Sequence, residues 1–325
     1  MKDFKRFGKV ESTNMKGVLV LLVFLHHAFQ YGAILHRSTF FSFIFDSLGF
    51  LSVGSFLFIS GYGFFLTSQR LTGWGGKYLV RNRFIPIYAI NIVLLFVWLL
   101  LYYCYNLPVS GSEIASSLLL GKTLVPMGWY LQCYCIITLM YAASITINKE
   151  KQLVFMALFL CIYWICCFMF NMPSNWYVSV FPFLVGMYVA RTHKINNHII
   201  SAIVVSLLIL CISVCIYYTT TMPIIRNFTK TLMAICFSIN LYAFFKSYKF
   251  KFSLLKFMGE RSLEMYLMQG IVFLLLKWNG LSFSNSLQFF IISLLLCLVL
   301  GIITHPVFVL IMDKGKTIYK YDNTK

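Results

Sequence analysis

The sequence predicts an all-α, polytopic integral membrane protein with about ten transmembrane helices. Three observations predict it. Of its 325 residues, 60% are hydrophobic and 11% charged, whereas soluble domains carry about 25% charged residues. Apolar runs of about 20 residues recur along the chain, long enough to cross a hydrocarbon core of roughly 30 Å. Finally, the basic residues gather in alternate short loops between those runs, a pattern that membrane topology explains. The same pattern argues against reading the net charge of +18 as a nucleic-acid surface.

The spans fall in order. The first lies near 15–35. Its basic N-terminus and the apolar run from Val18 resemble a signal peptide. No small-residue cleavage site follows, however, and His26, His27, Gln30 and Tyr31 interrupt the run, so it reads as a retained span. The second, near 48–69, is glycine-rich. The third, near 84–105, opens at Pro86 behind a cluster of cations, and the fourth, near 127–147, opens with Gly128-Trp129-Tyr130-Leu131. A fifth follows near 152–170. The sixth, near 176–191, is the shortest, and Pro182 is expected to kink it. The last four lie near 199–218, 228–246, 263–281 and 286–312. Residues 1–325 read as a single transmembrane domain, with no soluble extra domain and no internal repeat.

Loop charge tests the count. With ten spans and the N-terminus inside, the inner segments hold 22 of the 27 Lys and Arg residues and the outer segments five. A missed span would scramble that split, which places both termini in the cytoplasm of a multi-pass cell-membrane protein. All ten cysteines lie inside apolar runs without a CxxC pair and read as small packing residues, so neither a metal site nor a disulfide framework is expected.

Candidates for chemistry begin in the first span. Ionisable groups within a span are costly and are functional candidates by default, although a histidine there can also simply bond a neighbouring helix. Lys16 and His27 are eleven residues apart. At 100° per residue this is about 1100°, three turns plus roughly 20°, so they share a face about 16 Å apart along the axis, while His26 points roughly 80° away. With Lys16 at the inner interface, His27 sits near mid-membrane, where an imidazole can act as a general base.

Other segments carry two readings each. Arg81 and Arg83 gather with Lys77 at the inner mouth of the third span. They suit bidentate phosphate binding and equally suit positive-inside anchoring. Ser60, Gly61 and Tyr62 in the second span suit close helix packing or an interhelical hydrogen bond. Trp129 at the outer face suits an interfacial aromatic belt or stacking on a substrate ring. Glu264 is expected to pair with Arg261 three residues back. Gln269 is expected to bond between helices. His305 is expected to satisfy the carbonyl freed by Pro306.

Taken together and in order, these motifs resemble the membrane acyltransferase-3 family. The family's first-span pattern of a basic residue, ten residues and a histidine matches Lys16 and His27, with lysine where arginine is usual. An aromatic-rich stretch ending in Ser-Gly matches Phe58-Ile59-Ser60-Gly61. Arginine, two residues and proline match Arg83-Phe84-Ile85-Pro86, and tryptophan–aromatic–leucine matches Trp129-Tyr130-Leu131. The late glycine–serine–leucine–tyrosine motif matches Gly259, Ser262, Leu263 and Tyr266. Three positions depart: Thr13 stands where an acidic residue is common, the arginine pair is tightly spaced as Arg81-x-Arg83, and Gln269 stands where a histidine often follows the late tyrosine.

The resemblance implies a membrane O-acyltransferase that moves an acyl group, most simply acetyl, from cytoplasmic acetyl-CoA or another acyl-CoA to a hydroxyl of a cell-surface or lipid-linked glycan. His27 would be the catalytic base or a transient acyl carrier. Lys16, Arg81 and Arg83 would bind the CoA phosphates, and Trp129, Ser60 and Tyr62 would contact the acceptor. The implied partners are the glycan acceptor, membrane lipids, and a homo-oligomer or glycan-synthesis complex, with no metal and no nucleic acid. A glycan or lipid-intermediate exporter also fits ten spans with intramembrane polar groups, and a scaffold in a glycan-synthesis complex is a third class. Against export stands the lack of an inverted repeat or of matched broken helices.

Overall fold

The computed structural model describes residues 7–32, 39–71, 75–121, 123–192, 199–248, 252–279 and 286–322. Among these the chain is helical, without strands. Lys2, Lys5, Arg6, Arg37, Lys122, Lys194, Lys249, Lys251 and Lys325, which entered the charge split, lie outside the described residues. Each expected span overlaps a helix, the sixth only from Phe181, while 33–35 of the first and 280–281 of the ninth lie outside the described residues. Six of them are long and apolar enough to cross a membrane by length and composition: Phe41–Arg70, Gly75–Cys104, Gly128–Ile147, Gln152–Met169, Pro223–Ser247 and Leu287–Asp313. The helices at the other four positions are shorter or more polar, so the protein is all-α and membrane-spanning with six spans of that kind among the described residues.

The chain divides into two compact units, 1–70 with 157–262 and 284–290, and 71–156 with 263–283 and 291–325. The first contains α1 (Lys9–Gly32), α2 (Thr39–Arg70), most of α7 (Gln152–Met169), α8 (Phe181–Thr192), α9 (Ile199–Thr219), α10 (Pro223–Ser247) and α11 (Ser253–Glu260). Helices in lipid gain little from burying apolar surface against one another, so they associate where small residues allow close approach and where polar groups pair. The α2–α8 seam follows that rule. A methyl group on Gly61 would strike the backbone carbonyl of Phe183, and one on Gly186 the carbonyl of Phe58, so the two glycines let the backbones touch reciprocally. Hydroxyls then fasten α2 to its neighbours: Ser179 donates to the Phe50 carbonyl at 2.9 Å, and Ser55 and Ser238 of α10 meet at 3.0 Å. Ser206 of α9 donates to Asn240 of α10 at 3.1 Å.

Pro182 behaves differently from the sequence expectation. It stands in the first turn of α8, following a short 3₁₀ turn at Ser174–Trp176, and starts the helix rather than kinking it. The first turn leaves backbone N–H groups unpaired in any case, so a residue without one costs nothing there.

The second unit contains α3 (Gly75–Leu79), α4 (Ile85–Cys104), α5 (Gly111–Leu118), α6 (Gly128–Ile147), the start of α7, α12 (Ser262–Trp278, from Leu263) and most of α13 (Ser286–Asp322). A π-helical turn, Val80–Phe84, joins α3 to α4, with the Ile85 N–H donating to the Val80 carbonyl five residues back. Gly76 packs on Ala142 and Thr146 near the end of α6, so α6 runs antiparallel to α3 and α4. Ser110 and Glu113 form a reciprocal capping box that starts α5. Tyr88 of α4 donates to the Leu118 carbonyl at 2.8 Å, and Gln132 of α6 donates to the Ser117 carbonyl at 2.9 Å, which holds α5 against both helices. Large apolar side chains such as Phe96, Leu100, Leu295 and Ile303 remain exposed on α4 and α13. Water would penalise such a surface; hydrocarbon solvates it.

Candidate functional site

The first unit carries the histidine pair. α1 is a continuous α-helix through Lys16 and His27, so the shared-face geometry expected from the sequence holds in the fold. The two rings lie 4.8 Å apart but face different surroundings. His26 Nδ1 donates to the Phe45 carbonyl of α2 at 2.8 Å. The rest of its ring lies over Gly49, where a methyl group would meet Nε2 at 2.5 Å and Cδ2 at 2.7 Å. Its Nδ1 hydrogen bond and the α2 backbone under its Nε2 edge dock His26 onto that helix.

His27 is only 8% exposed, and its Nδ1 lies 3.4 Å from Gln30 Oε1 one turn on. Donation of Nδ1–H to that oxygen selects the tautomer with the lone pair on Nε2, the form in which an imidazole accepts a proton. Residues i and i+3 are neighbours on a helix surface, so α1 itself supplies the orienting group.

At the base of α1, α11 crosses closely. A methyl on Gly17 would strike the Leu255 carbonyl, and one on Gly259 the Thr13 carbonyl. The glycine of the late motif therefore brings α11 against the turn that carries Lys16, which is itself partly exposed. Ser60 turns its hydroxyl back to the Phe56 carbonyl of its own helix at 2.9 Å. Tyr62 is buried, edge-on to Phe7 at 5.4 Å and 6.1 Å from the Tyr242 ring. Lys246 lies over Tyr242 at 5.5 Å.

Arg81, Arg83 and Trp129 belong to the second unit. Both arginines sit on the π turn, whose extra residue changes the direction in which the side chains leave the helix; such turns recur at functional sites. Arg83 is close enough to Tyr134 of α6 to act on it electrostatically. Trp129, partly exposed in the first turn of α6, packs edge-on to Tyr130 at 6.3 Å, and Tyr130 packs edge-on to Tyr266 of α12 at 5.4 Å.

Three expected pairings are corrected, the first being Gln269 of α12, whose buried carboxamide finds no hydrogen-bond partner on a neighbouring helix among the described residues. The partner of Glu264 is His305, not Arg261: Nδ1 of His305 donates to Oε1 at 2.7 Å and joins α12 to α13. The carboxylate is 5% exposed, and a buried carboxylate requires a donor that reaches it inside the bundle. His305 accordingly serves that carboxylate rather than the carbonyl freed by Pro306. Arg261 instead lies over the Phe257 ring, its guanidinium carbon 4.1 Å from the centroid. Neither partner lies near the other in sequence, so no local spacing signalled the pair. Among the described residues, no cluster of three metal-ligating side chains occurs.

A family model for an acyltransferase domain, that of the acyltransferase-3 family, matches residues 10–306. The chain belongs to this family. The match takes in all five motifs together with the histidine pair, and it makes the protein a membrane acyltransferase. No curated protein and no solved structure matches the acyltransferase.

Proposed function

We propose that this acyltransferase moves an acetyl group from acetyl-CoA to a hydroxyl of a cell-surface or lipid-linked glycan, with His27 as general base. The observation that carries the reading is the buried His27 ring on the face of α1 that also carries Lys16, with Nδ1 3.4 Å from Gln30 Oε1. Nε2 takes the proton of the acceptor hydroxyl as its oxygen attacks the thioester carbonyl. The tetrahedral oxyanion collapses, the carbon–sulfur bond breaks, and the imidazolium returns its proton to the departing CoA thiolate. The products are the acetyl ester and CoA.

The other assignments follow residue chemistry. Arg81 and Arg83 offer guanidinium forks that suit the donor's phosphates. Lys16 offers an ammonium on the same face of α1 as His27. Trp129, partly exposed beside Tyr130, offers an aromatic face to a sugar ring. Ser60 and Tyr62 are assigned to packing, because the hydroxyl of one serves its own helix and the ring of the other is enclosed by aromatics. Both termini are assigned to the cytoplasm on the loop charge.

Purified protein with labelled acetyl-CoA and a glycan acceptor tests the reading. His27→Ala is expected to abolish label transfer while the protein still accumulates in membranes. Transfer retained in that variant would overturn the role of His27. Accumulation of glycan across vesicles without any acylated product would favour export instead.

A further inference from the structure

The interior of the second unit holds polar groups that the proposed chemistry leaves without a role. Asn91 of α4 is 1% exposed and Gln269 of α12 is 0% exposed. The oxygen and the nitrogen of both carboxamides lack a hydrogen-bond partner, as does the indole nitrogen of Trp98. Asn91 and Trp98 are seven residues apart, about 20° short of two full turns, so they share a face of α4.

The packing within the unit fixes the register. α6 runs antiparallel to α4; Tyr130 in its first turn meets Tyr266 of α12, and Pro126 just before it meets Gly270. Further along α12, Trp278 lies 6.0 Å from Trp98 and 4.9 Å from Tyr105, and Asn279 donates to the Tyr105 hydroxyl at 2.8 Å. α12 therefore runs parallel to α4. Gln269 lies nine residues before Trp278, and counting back the same number from Trp98–Tyr105 reaches the turn of Asn91. The two carboxamides accordingly stand at one depth, with Tyr130 and Tyr266 beside them.

Hydrocarbon surroundings provide no water to satisfy such groups, so amides buried without a protein partner point to a ligand that pairs with them. Each carboxamide carries a donor and an acceptor, so one can donate to the carbonyl of a trans secondary amide while the other accepts from its N–H. Arg83 lies eight residues before Asn91, about 12 Å along the helix. In a phosphopantetheine chain the second amide carbon is nine bonds from the phosphorus, roughly 11 Å when extended at about 1.2 Å per bond.

We propose that Asn91 and Gln269 together bind the second amide of the pantetheine arm of acyl-CoA when the arm's phosphate rests at Arg83. This rests on the acyl-CoA donor named above, and the test separates the two. Equilibrium binding of CoA and of adenosine 3′,5′-bisphosphate, which has phosphates but no pantetheine, is measured on purified full-length protein. Asn91→Leu and Gln269→Leu are each expected to weaken CoA about tenfold, to leave the bisphosphate unchanged, and to hold or raise the melting temperature. Arg83→Ala is expected to weaken CoA. CoA binding unchanged in both leucine variants would overturn the pantetheine site while leaving the donor intact. Wild-type protein that binds neither ligand would remove the donor and the site together. Asn91→Ala and Gln269→Met provide a second pair should a leucine variant fail to fold.

Discussion

At the residue scale, the neighbouring histidines meet different surroundings because one helix faces two environments. His26 is docked on α2, with Nδ1 on the Phe45 carbonyl and its ring over Gly49. Gly49→Ala would push a methyl group into that ring. Overpacking of this kind costs about 1–3 kcal/mol, so the variant should melt lower in detergent while leaving His27, the proposed base, in place. The Glu264–His305 pair makes a second residue-scale prediction. His305→Phe leaves a buried carboxylate without its donor and should cost about 3 kcal/mol, whereas Glu264→Gln keeps a hydrogen-bond acceptor and should cost less. Apparent melting temperatures of the two variants check the order; equal values would argue against the pair. The face shared by Lys16 and His27 was legible in the sequence because helix geometry alone sets it. The Glu264–His305 contact was not, since 41 residues separate the partners and only packing brings them together.

At the element scale, the π turn at Val80–Phe84 sets the direction of Arg81 and Arg83. Deleting Asn82 should return the segment to regular α-helix and turn Arg81 by about 100° relative to α4. Affinity for CoA is then expected to fall without loss of helical content; circular dichroism and a binding isotherm measure the two together. Nothing in the spacing of Arg81 and Arg83 announced the π turn, because the extra residue is accommodated by the contacts of α3 and α6 rather than by local preference. Pro182 teaches the same lesson. Its place in the sequence shows that a helix cannot run through it undisturbed, but only the 3₁₀ turn before it shows that the helix starts there.

At the scale of the whole molecule, the loop charge makes the prediction. Reporter fusions at the N-terminus and the C-terminus should both report the cytoplasmic side, and fusions in the loop before α6 the opposite side. A single terminus on the outer side would overturn both the orientation and the even count of spans. By itself the sequence determined that this is a helical membrane protein with a cation and an imidazole on one helical face, and its motif order resembled the acyltransferase-3 family. Those features depend on composition and on the fixed 3.6-residue period, which need no knowledge of neighbours. Only the tertiary structure decided which histidine is docked, which group meets Glu264, and that Asn91 and Gln269 stand at one depth. Those outcomes depend on the register between helices distant in the chain, which close backbone contacts at glycines and interhelical hydrogen bonds set and no local pattern encodes.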